Sequence, residues 1–199
     1  ERERRPGRAQ RPPVTRTHVV ECPTPSAMGA DDAEGEKVAQ FSAGDTVAGR
    51  YRVARLIGRG GMGDVYAADH LLTGQQVALK VMRRSSDEAK RRLLREAKAA
   101  SRLRSEHTAR VLDADTLPSG DPFLVLELLE GQDLASVLRA RGRLLVADAV
   151  AYVAEAAEAL AEAHALGIVH RDVKPANLFL LAQPGRVHVK VLDFGIAKI

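Results

Sequence analysis

A glycine-rich segment between two strand patterns constrains the fold of this chain more than any other feature. Gly58, Gly60 and Gly63 form a G-x-G-x-x-G, a spacing that lets backbone N–H groups approach phosphate oxygens with no Cβ in the way. The same spacing occurs in dinucleotide-binding folds, where a helix follows the last glycine. Here residues 64–69 are short, β-branched and aromatic, and a Thr-Gly turn follows at 73–74. We therefore expect strand, turn and strand, with a hairpin tip that covers phosphates.

The next strand, predicted over Gln76–Met82, carries a lysine on the face opposite the core. Side chains alternate along a strand, so the Val-Leu-Val series faces the core while Ala78 and Lys80 share the other face. On a nucleotide-facing surface, Ala78 leaves room for a flat base and Lys80 reaches the phosphates. Without the glycine segment, Lys80 would be interpreted as a solvated lysine at a sheet edge.

A helix is predicted over residues 87–104, with Ser85 or Ser86 as its N-cap and acidic residues in its first turn. Its apolar residues recur at helical spacing, namely Leu93, Ala97, Ala100 and Leu103. Glu96 lies beside this stripe among basic side chains. It is either half of an ordinary surface pair or, as its place after the lysine strand favours, the carboxylate that keeps a buried Lys80 charged. The basic side chains are interpreted as a solvated face, with docking of a phosphorylated loop as the alternative.

Two motifs in the second half of the chain combine the groups that phosphoryl transfer requires. The motifs are His170-Arg171-Asp172-Val173-Lys174-Pro175-Ala176-Asn177 and Asp193-Phe194-Gly195. Asp172 can accept a hydroxyl proton, and Lys174 can contact the transferring phosphate. Asn177 and Asp193 offer the oxygen ligands that Mg²⁺ prefers. Either motif alone is typical of a turn or a strand end, so the interpretation depends on their order after the glycine segment.

Together these motifs resemble those of protein kinases of the Ser/Thr class, and their sequences are similar to those of bacterial kinases of the eukaryotic-like type. Lys174 resembles the Ser/Thr branch rather than the tyrosine branch, and Arg171 resembles kinases whose activation loop docks a phosphate. The resemblance covers residues 49–199 and implies an α+β, bilobal, protein-kinase-like fold that uses ATP and Mg²⁺. The N-lobe, an antiparallel sheet plus a helix, would span about 46–128, and a truncated, mostly helical C-lobe about 129–199.

The resemblance also implies a nucleotide site between the lobes. The residues implied to bind ATP are Ile57, Gly58, Gly60, Gly63, Val65, Ala78, Lys80, Glu127, Leu129, Asp133 and Phe179. The implied catalytic residues are Asp172, Lys174, Asn177, Lys80 and Glu96, and the implied metal ligands are Asn177 and Asp193.

Residues 123–129 would form the last N-lobe strand and the hinge, with Leu126 as gatekeeper. The backbones of Glu127 and Leu129 would bond the adenine edge, and Asp133 would lie near the ribose. Val65, Ala78 and Phe179 would sandwich the base. His170, Phe194 and Ala100 would belong to the apolar column that links the lobes.

The N-terminal segment differs in composition from the rest. Residues 1–45 lack periodicity and are rich in Arg, Pro, Gly and Asp, so we expect a disordered tail. The chain starts with Glu, and Met28 is a candidate natural start. Cys22 is the single cysteine, which excludes a disulfide framework and favours the cytoplasm. No apolar run reaches membrane-spanning length, and a net charge of +4 without an aromatic-rich basic face argues against nucleic-acid binding.

A long helix is predicted over residues 146–166, and it leads to His170. Its buried stripe is predicted as Val150, Val153, Ala157 and Leu160. The function expected from the resemblance is transfer of the ATP γ-phosphate to a Ser or Thr hydroxyl of a protein. A family activation loop and later C-lobe helices do not follow Asp193, so the 199-residue chain alone is expected to be inactive, with an open apolar C-lobe face. The alternative function is a non-catalytic ATP-binding regulatory or scaffold module.

Overall fold

The structure is a computed structural model that describes residues 39–60, 63–82, 86–183 and 186–194. Most of the predicted tail, including Cys22 and Met28, lies outside the described residues, as does Gly195. None of the helices in the described part is long and apolar enough to cross a membrane.

A six-stranded antiparallel sheet forms the N-lobe, in the order β1-β2-β3-β4-β6-β5. Its strands are β1 Thr46–Val47, β2 Tyr51–Gly60, β3 Gly63–His70, β4 Gln76–Met82, β5 Val111–Thr116 and β6 Pro122–Glu127. Strands β2 and β3 pair as far as Gly60 opposite Gly63, which confirms the predicted hairpin. Strand β4 has the predicted bounds, and its Val77, Leu79 and Val81 belong to the buried core as expected.

Gly63 is the point where the sheet requires a glycine for steric reasons. A Cβ built on Gly63 would lie 2.1 Å from the carbonyl oxygen of Val81 in β4, and a contact this short forces the backbone to move. The close pairing of β3 with β4 near the tip of the β2–β3 hairpin therefore depends on the absent side chain.

Helix α1, Asp87–Ala100, packs against this sheet and begins at the predicted cap. The Ser86 hydroxyl accepts a hydrogen bond from the backbone N–H of Ala89 at 3.3 Å. The helix ends earlier than predicted, and the N–H groups of Arg102 and Leu103 bond to the carbonyls three residues before them at 3.1 Å. Beyond this turn, the backbone N–H groups of Arg104 and Ser105 bind a carboxylate. That carboxylate is Glu162 of the C-lobe, at 2.7 and 2.8 Å. All four residues of the predicted apolar stripe are buried, namely Leu93, Ala97, Ala100 and Leu103.

The described C-lobe contains two α-helices, a 3₁₀ turn and a three-stranded antiparallel sheet. These elements are β7 Gly131–Asp133, α2 Leu134–Arg141, α3 Val146–Ala165, the 3₁₀ turn Pro175–Asn177, β8 Leu178–Gln183 and β9 Arg186–Val191. Helix α3 packs on β9, and their apolar side chains share one core with Phe194 and Ala100. The N-lobe helix and the C-lobe thus meet in a continuous apolar cluster.

The predicted buried stripe of helix α3 is wrong. The residues buried along the helix are Tyr152, Ala156, Ala159 and Ala163. Of the predicted set, Val150 is 63% exposed, Val153 is 65% exposed and Ala157 is also exposed, while Leu160 is half-buried. The helix is apolar on both sides, and the alanine-rich side allows the closer approach of β9. The valine side is the open apolar face of the described C-lobe.

Residues shortly before β1 already pack against the N-lobe sheet. Phe41 packs against the N-lobe core, and its ring lies 5.9 Å from that of Tyr66 in an edge-to-face arrangement. The backbone N–H of Gly44 donates to the carbonyl of Val53 at 2.8 Å. Burial of an aromatic ring and pairing of the backbone with β2 attach these residues to the N-lobe.

Candidate active site

The residues predicted to act on the phosphoryl acceptor lie together in the loop that follows helix α3. The Asn177 side-chain amide donates to the backbone carbonyl of Asp172 at 2.8 Å and to its Oδ2 at 3.1 Å. Lys174 Nζ lies 2.8 Å from the same Oδ2. The carboxylate of Asp172 is therefore fixed by an amide and a cation, and it can accept a proton while one lysine charge lies beside it.

His170 joins this loop to the segment that carries Asp193. Its Nδ1 accepts the backbone N–H of Asp172 at 3.2 Å, and its Nε2 lies 2.7 Å from the carbonyl oxygen of Leu192. Because a carbonyl only accepts, Nε2 carries the proton, and the two contacts select one neutral tautomer. The ring also stacks edge-on against Phe194 at 5.0 Å, as the resemblance implied.

Lys80 and Asp193 form a close ion pair. Lys80 Nζ lies 2.6 Å from Asp193 Oδ1, with side-chain exposures of 10% and 27%. Asp193 has a φ of 58°, in the left-handed region that non-glycine residues seldom adopt. The predicted metal ligand is thus held by the predicted phosphate-binding lysine, in an unusual backbone conformation.

The predicted ion pair between Lys80 and Glu96 is not formed. Glu96 is half-buried on α1, and its Oε2 is buried with no hydrogen-bond partner among the described residues. Lys80 instead takes its carboxylate from Asp193, so the requirement of a buried lysine for a counter-charge is met. Asp193 is far from Lys80 along the chain, and only the tertiary fold brings the two side chains together.

The burial of Glu96 makes its carboxyl a weaker acid than usual. Burial raises the pKa of its carboxyl above the ordinary value, and the nearby charges of Arg92, Arg171 and Arg95 oppose this shift without cancelling it. Arg171, which has a φ of 65°, belongs to the catalytic loop. Glu96 is therefore exposed to the field of an arginine that lies next to Asp172 in sequence.

Strand register distributes the residues implied to line the nucleotide over both lobes. Val65 lies opposite Gly58 on β2 and opposite Lys80 on β4. Ala78 lies opposite Leu126 on β6. Ile57 sits at an irregularity of the β2–β3 pairing, between Leu56 and Gly58. On the C-lobe sheet, Phe179 lies opposite Asp133.

The two implied hinge residues differ in the backbone groups that they leave for a ligand. The N–H of Glu127 donates to the carbonyl of Arg110 at 3.0 Å, so it is already used within the protein. The N–H and C=O of Leu129 bond to no other residue in the described part of the chain. These free groups suit recognition of a planar, polar ring edge.

Asp133 has a role that the sequence analysis missed. It is the N-cap of α2, where its Oδ1 accepts the backbone N–H of Ser136 at 2.8 Å and its Oδ2 accepts the Ser136 hydroxyl at 2.5 Å. Burial alone would raise the pKa of Asp133, but the hydrogen bonds from Ser136 outweigh it and lower the pKa. An aspartate before an apolar run, with a serine three positions later, was the signal for this cap.

A second polar cluster lies outside this site, between the loop after α1, helix α3 and strand β9. Ring nitrogens of His107 and His188 and a carboxylate oxygen of Glu155 lie within 4.8 Å of one another. His107 Nδ1 donates to the carbonyl of Val189 at 3.0 Å, and Glu155 Oε2 accepts the backbone N–H of Val189 at 2.7 Å. Because His107 and Glu155 already bind the backbone of strand β9, we interpret the cluster as a structural junction.

Comparisons with known proteins agree with this geometry. The family described as "Protein kinase domain" matches residues 51–199. The serine/threonine-protein kinase pkn3 of Myxococcus xanthus is 43% identical over 162 residues, which cover 78% of this chain and 29% of that protein. PknE of Mycobacterium tuberculosis is 43% identical over 152 residues, covering 75% of this chain and 26% of that protein. The chain thus spans less than a third of the length of these relatives.

Solved structures show the same relationship. The crystal structure of the Mycobacterium tuberculosis PknI kinase domain is similar with a TM-score of 0.71 and 35% sequence identity, covering 79% of this chain and 64% of that one. A double mutant of the same domain gives a TM-score of 0.73 at 34% identity, covering 79% of this chain and 63% of that one. From the ordered motifs, the two-lobed fold and these matches, the chain belongs to the protein kinase family, in its bacterial eukaryotic-like Ser/Thr branch.

Proposed function

We propose that the whole protein is an ATP-dependent Ser/Thr protein kinase, which transfers the γ-phosphate of ATP to a Ser or Thr hydroxyl of a protein substrate. The observation that carries this proposal is the fixed carboxylate of Asp172, with Lys174 at 2.8 Å and Asn177 at 3.1 Å from the same oxygen. Phosphoryl transfer depends mainly on positioning and on neutralised charge, and these three side chains supply both.

The residues of the site fit Mg²⁺. Both amide hydrogen bonds of Asn177 leave from Nδ2, so its Oδ1 remains for a metal, and Asp193 adds a partly exposed carboxylate. Oxygen donors of this kind are the ligands that Mg²⁺ prefers. When bound, the ion would neutralise phosphate charge. Asn177 and Asp193 would hold it, while Lys80 orients the Asp193 carboxylate.

In the proposed reaction, Asp172 orients the acceptor hydroxyl and takes its proton. The hydroxyl oxygen bonds to the γ-phosphorus, the bond from that phosphorus to the β–γ bridging oxygen breaks, and ADP leaves with the electron pair. Lys174 stabilises the negative charge of the group in transit, from its position next to Asp172. We further propose that the reaction takes place in the cytoplasm, where ATP is available.

The second candidate is a non-catalytic ATP-binding module, and one observation favours it. Glu96 does not pair with Lys80 in this structure, although kinases need that pair in place during transfer. Such a module would bind nucleotide and transfer nothing.

A transfer assay separates the two candidates. The whole protein is incubated with labelled ATP and matched peptides that differ only in a Ser, Thr or Tyr acceptor. We expect label on the Ser and Thr peptides, and a severe loss in the variants Lys80→Met and Asp172→Asn because each removes positioning. Lys90→Met, which breaks a 3.3 Å ion pair with Asp121 away from the site, is the control. Nucleotide binding without label on any peptide would establish the non-catalytic module.

A further inference from the structure

We propose that Lys190 is a positioning residue that fastens the hinge to the C-lobe sheet and thereby sets the backbone that recognises adenine. This inference rests on the proposed function, because it assigns a determinant of nucleotide binding. The sequence analysis gave Lys190 no role, and it lies outside the set of residues implied to touch ATP.

The side chain of Lys190 connects three segments of the chain. From strand β9, its Nζ lies 2.6 Å from Glu127 Oε1, at the end of β6. The same ammonium group donates to the backbone carbonyl of Thr108 at 3.1 Å, in the loop between α1 and β5. One ammonium group therefore joins the C-lobe sheet to the start of the hinge and to the N-lobe loop beside it.

Glu127 is held from its other side as well. Its Oε1 accepts the backbone N–H of Arg110 at 2.8 Å, while its own backbone N–H donates to the Arg110 carbonyl at 3.0 Å. With Lys190 present, both the carboxylate and the backbone of Glu127 are fixed. The backbone N–H of Glu127 fixes the peptide that precedes this residue, whereas its carbonyl, which would face adenine, belongs to the peptide that follows. The carboxylate contact of Lys190 is therefore what ties this end of the hinge to the C-lobe sheet.

The pair is shielded enough for its charges to matter. The side chain of Lys190 is 13% exposed and that of Glu127 is 24% exposed. Exposed ion pairs contribute little because water and salt screen them, whereas removal of one partner from a shielded pair leaves a charge without compensation. Lys190→Met would therefore leave the Glu127 charge with the Arg110 N–H and no cation, and the start of the hinge would shift to expose that charge to water.

Lys190 also connects the two sides of the implied adenine site. It lies opposite Phe179 in the β8–β9 pairing, and Phe179 lies opposite Asp133 on β7. The next residue, Val191, forms a parallel bridge with Thr108. The strand that carries Lys190 is thus paired with the strand of Phe179 and bridged to the loop of Thr108. Through Lys190, the position of the hinge is fixed relative to both.

The experiment compares ligands that test different parts of the site. Affinities of the whole protein for Mg-ATP, adenosine and Mg-tripolyphosphate are measured by calorimetry, for Lys190→Met, Lys190→Arg and the control Lys90→Met. We expect Lys190→Met to weaken the affinities for ATP and adenosine on the order of tenfold, which corresponds to the free energy of one charge-assisted hydrogen bond. Tripolyphosphate binding should not change, and Lys190→Arg should restore most of the adenosine affinity because it keeps the charge.

A double-mutant cycle tests whether Lys190 acts through Glu127. Glu127→Gln keeps an acceptor for the Arg110 N–H but removes the charge that Lys190 binds. The double variant should have the same adenosine affinity as the single variant that binds adenosine less tightly, since both changes break the same contact.

The outcomes separate this inference from the function on which it rests. A wild-type protein that binds no ATP would refute the proposed function. A wild-type protein that binds ATP, with adenosine affinity unchanged in Lys190→Met, would overturn the role of Lys190. Equal losses for tripolyphosphate, or equal losses in Lys90→Met, would also overturn it, because they would report general destabilisation.

Discussion

Glu162 on helix α3 is the residue for which the structure makes the sharpest energetic prediction. Its two carboxylate oxygens accept the backbone N–H groups of Arg104 and Ser105, at 2.7 and 2.8 Å. These bonds attach the loop after α1 to the C-lobe. We expect Glu162→Ala to release both N–H groups and to loosen this loop, while the helix itself persists because Ala is a good helix former.

The size of the effect follows from the environment of the two bonds. A hydrogen bond to a charged group is worth about 1.5–3 kcal/mol. The bond to Arg104 is exposed and the bond to Ser105 is partly buried, so water compensates for part of the loss. We therefore expect a local destabilisation of about 2 kcal/mol, which corresponds to a fall in amide protection of roughly thirtyfold at the two N–H groups.

Native-state hydrogen exchange on the whole protein measures this quantity at the residues concerned. The matched control is Glu158→Ala, which removes a carboxylate that is 71% exposed and lies 3.6 Å from His107 Nε2 on the same helix. Unchanged exchange at Arg104 and Ser105 in Glu162→Ala would refute the reasoning. An equal loss of protection in Glu158→Ala would refute it too, because the faster exchange would then result from removing a negative charge from helix α3 and not from losing the contacts with the loop.

Three further predictions concern pH, metal dependence and association. Burial raises the pKa of Glu96 above its ordinary value of 4.5, so the folded state binds this proton more tightly than the unfolded state. Stability therefore declines as the pH rises from 4.5 through the folded pKa. Glu96→Gln should flatten that decline in thermal melts, and an unaltered pH profile would contradict it. Asp193→Asn should remove most of the Mg²⁺ dependence of ATP binding in calorimetry, whereas equal affinity with and without Mg²⁺ in the wild type would reject Asp193 as a ligand. Val150→Ser with Val153→Ser should reduce self-association of the 199-residue chain in light scattering, since these side chains are 63% and 65% exposed and open apolar patches associate. The control is Ala151→Ser, at an exposed position that points away from the two valines, and no change in scattering in the double variant would exclude this face.

Local patterns in the sequence sufficed for the parts of the site that depend on neighbours along the chain. The bounds of β4 follow from alternation, and the glycine hairpin follows from the absence of a helix pattern after Gly63. Asp172, Lys174 and Asn177 lie within six residues, so the loop that contains them brings them together without a long-range contact.

Long-range choices were not predictable in the same way. Two carboxylates, those of Glu96 and Asp193, were each suitable partners for Lys80, and only the packing of the lobes decides between them. Likewise, helix α3 is apolar on two sides, and periodicity alone does not say which side meets β9. The sequence analysis assigned no role to Lys190, because its partners on β6 and before β5 are brought near only by the tertiary fold.

The three glycines of the hairpin are not equivalent in their tolerance of substitution. A Cβ at Gly63 would collide with the Val81 carbonyl at 2.1 Å, whereas a Cβ at Gly58 would meet Val65 at 3.6 Å and one at Gly60 would meet the Gly63 carbonyl at 3.8 Å. The protein can therefore accommodate alanine at Gly58 and Gly60 within ordinary van der Waals contact, but not at Gly63. In a library of variants scored separately for abundance and for ATP binding, Gly63 should be intolerant in both screens. Gly58 and Gly60 should be intolerant only in the second, which would distinguish the glycine required for folding from those proposed to contact the phosphates.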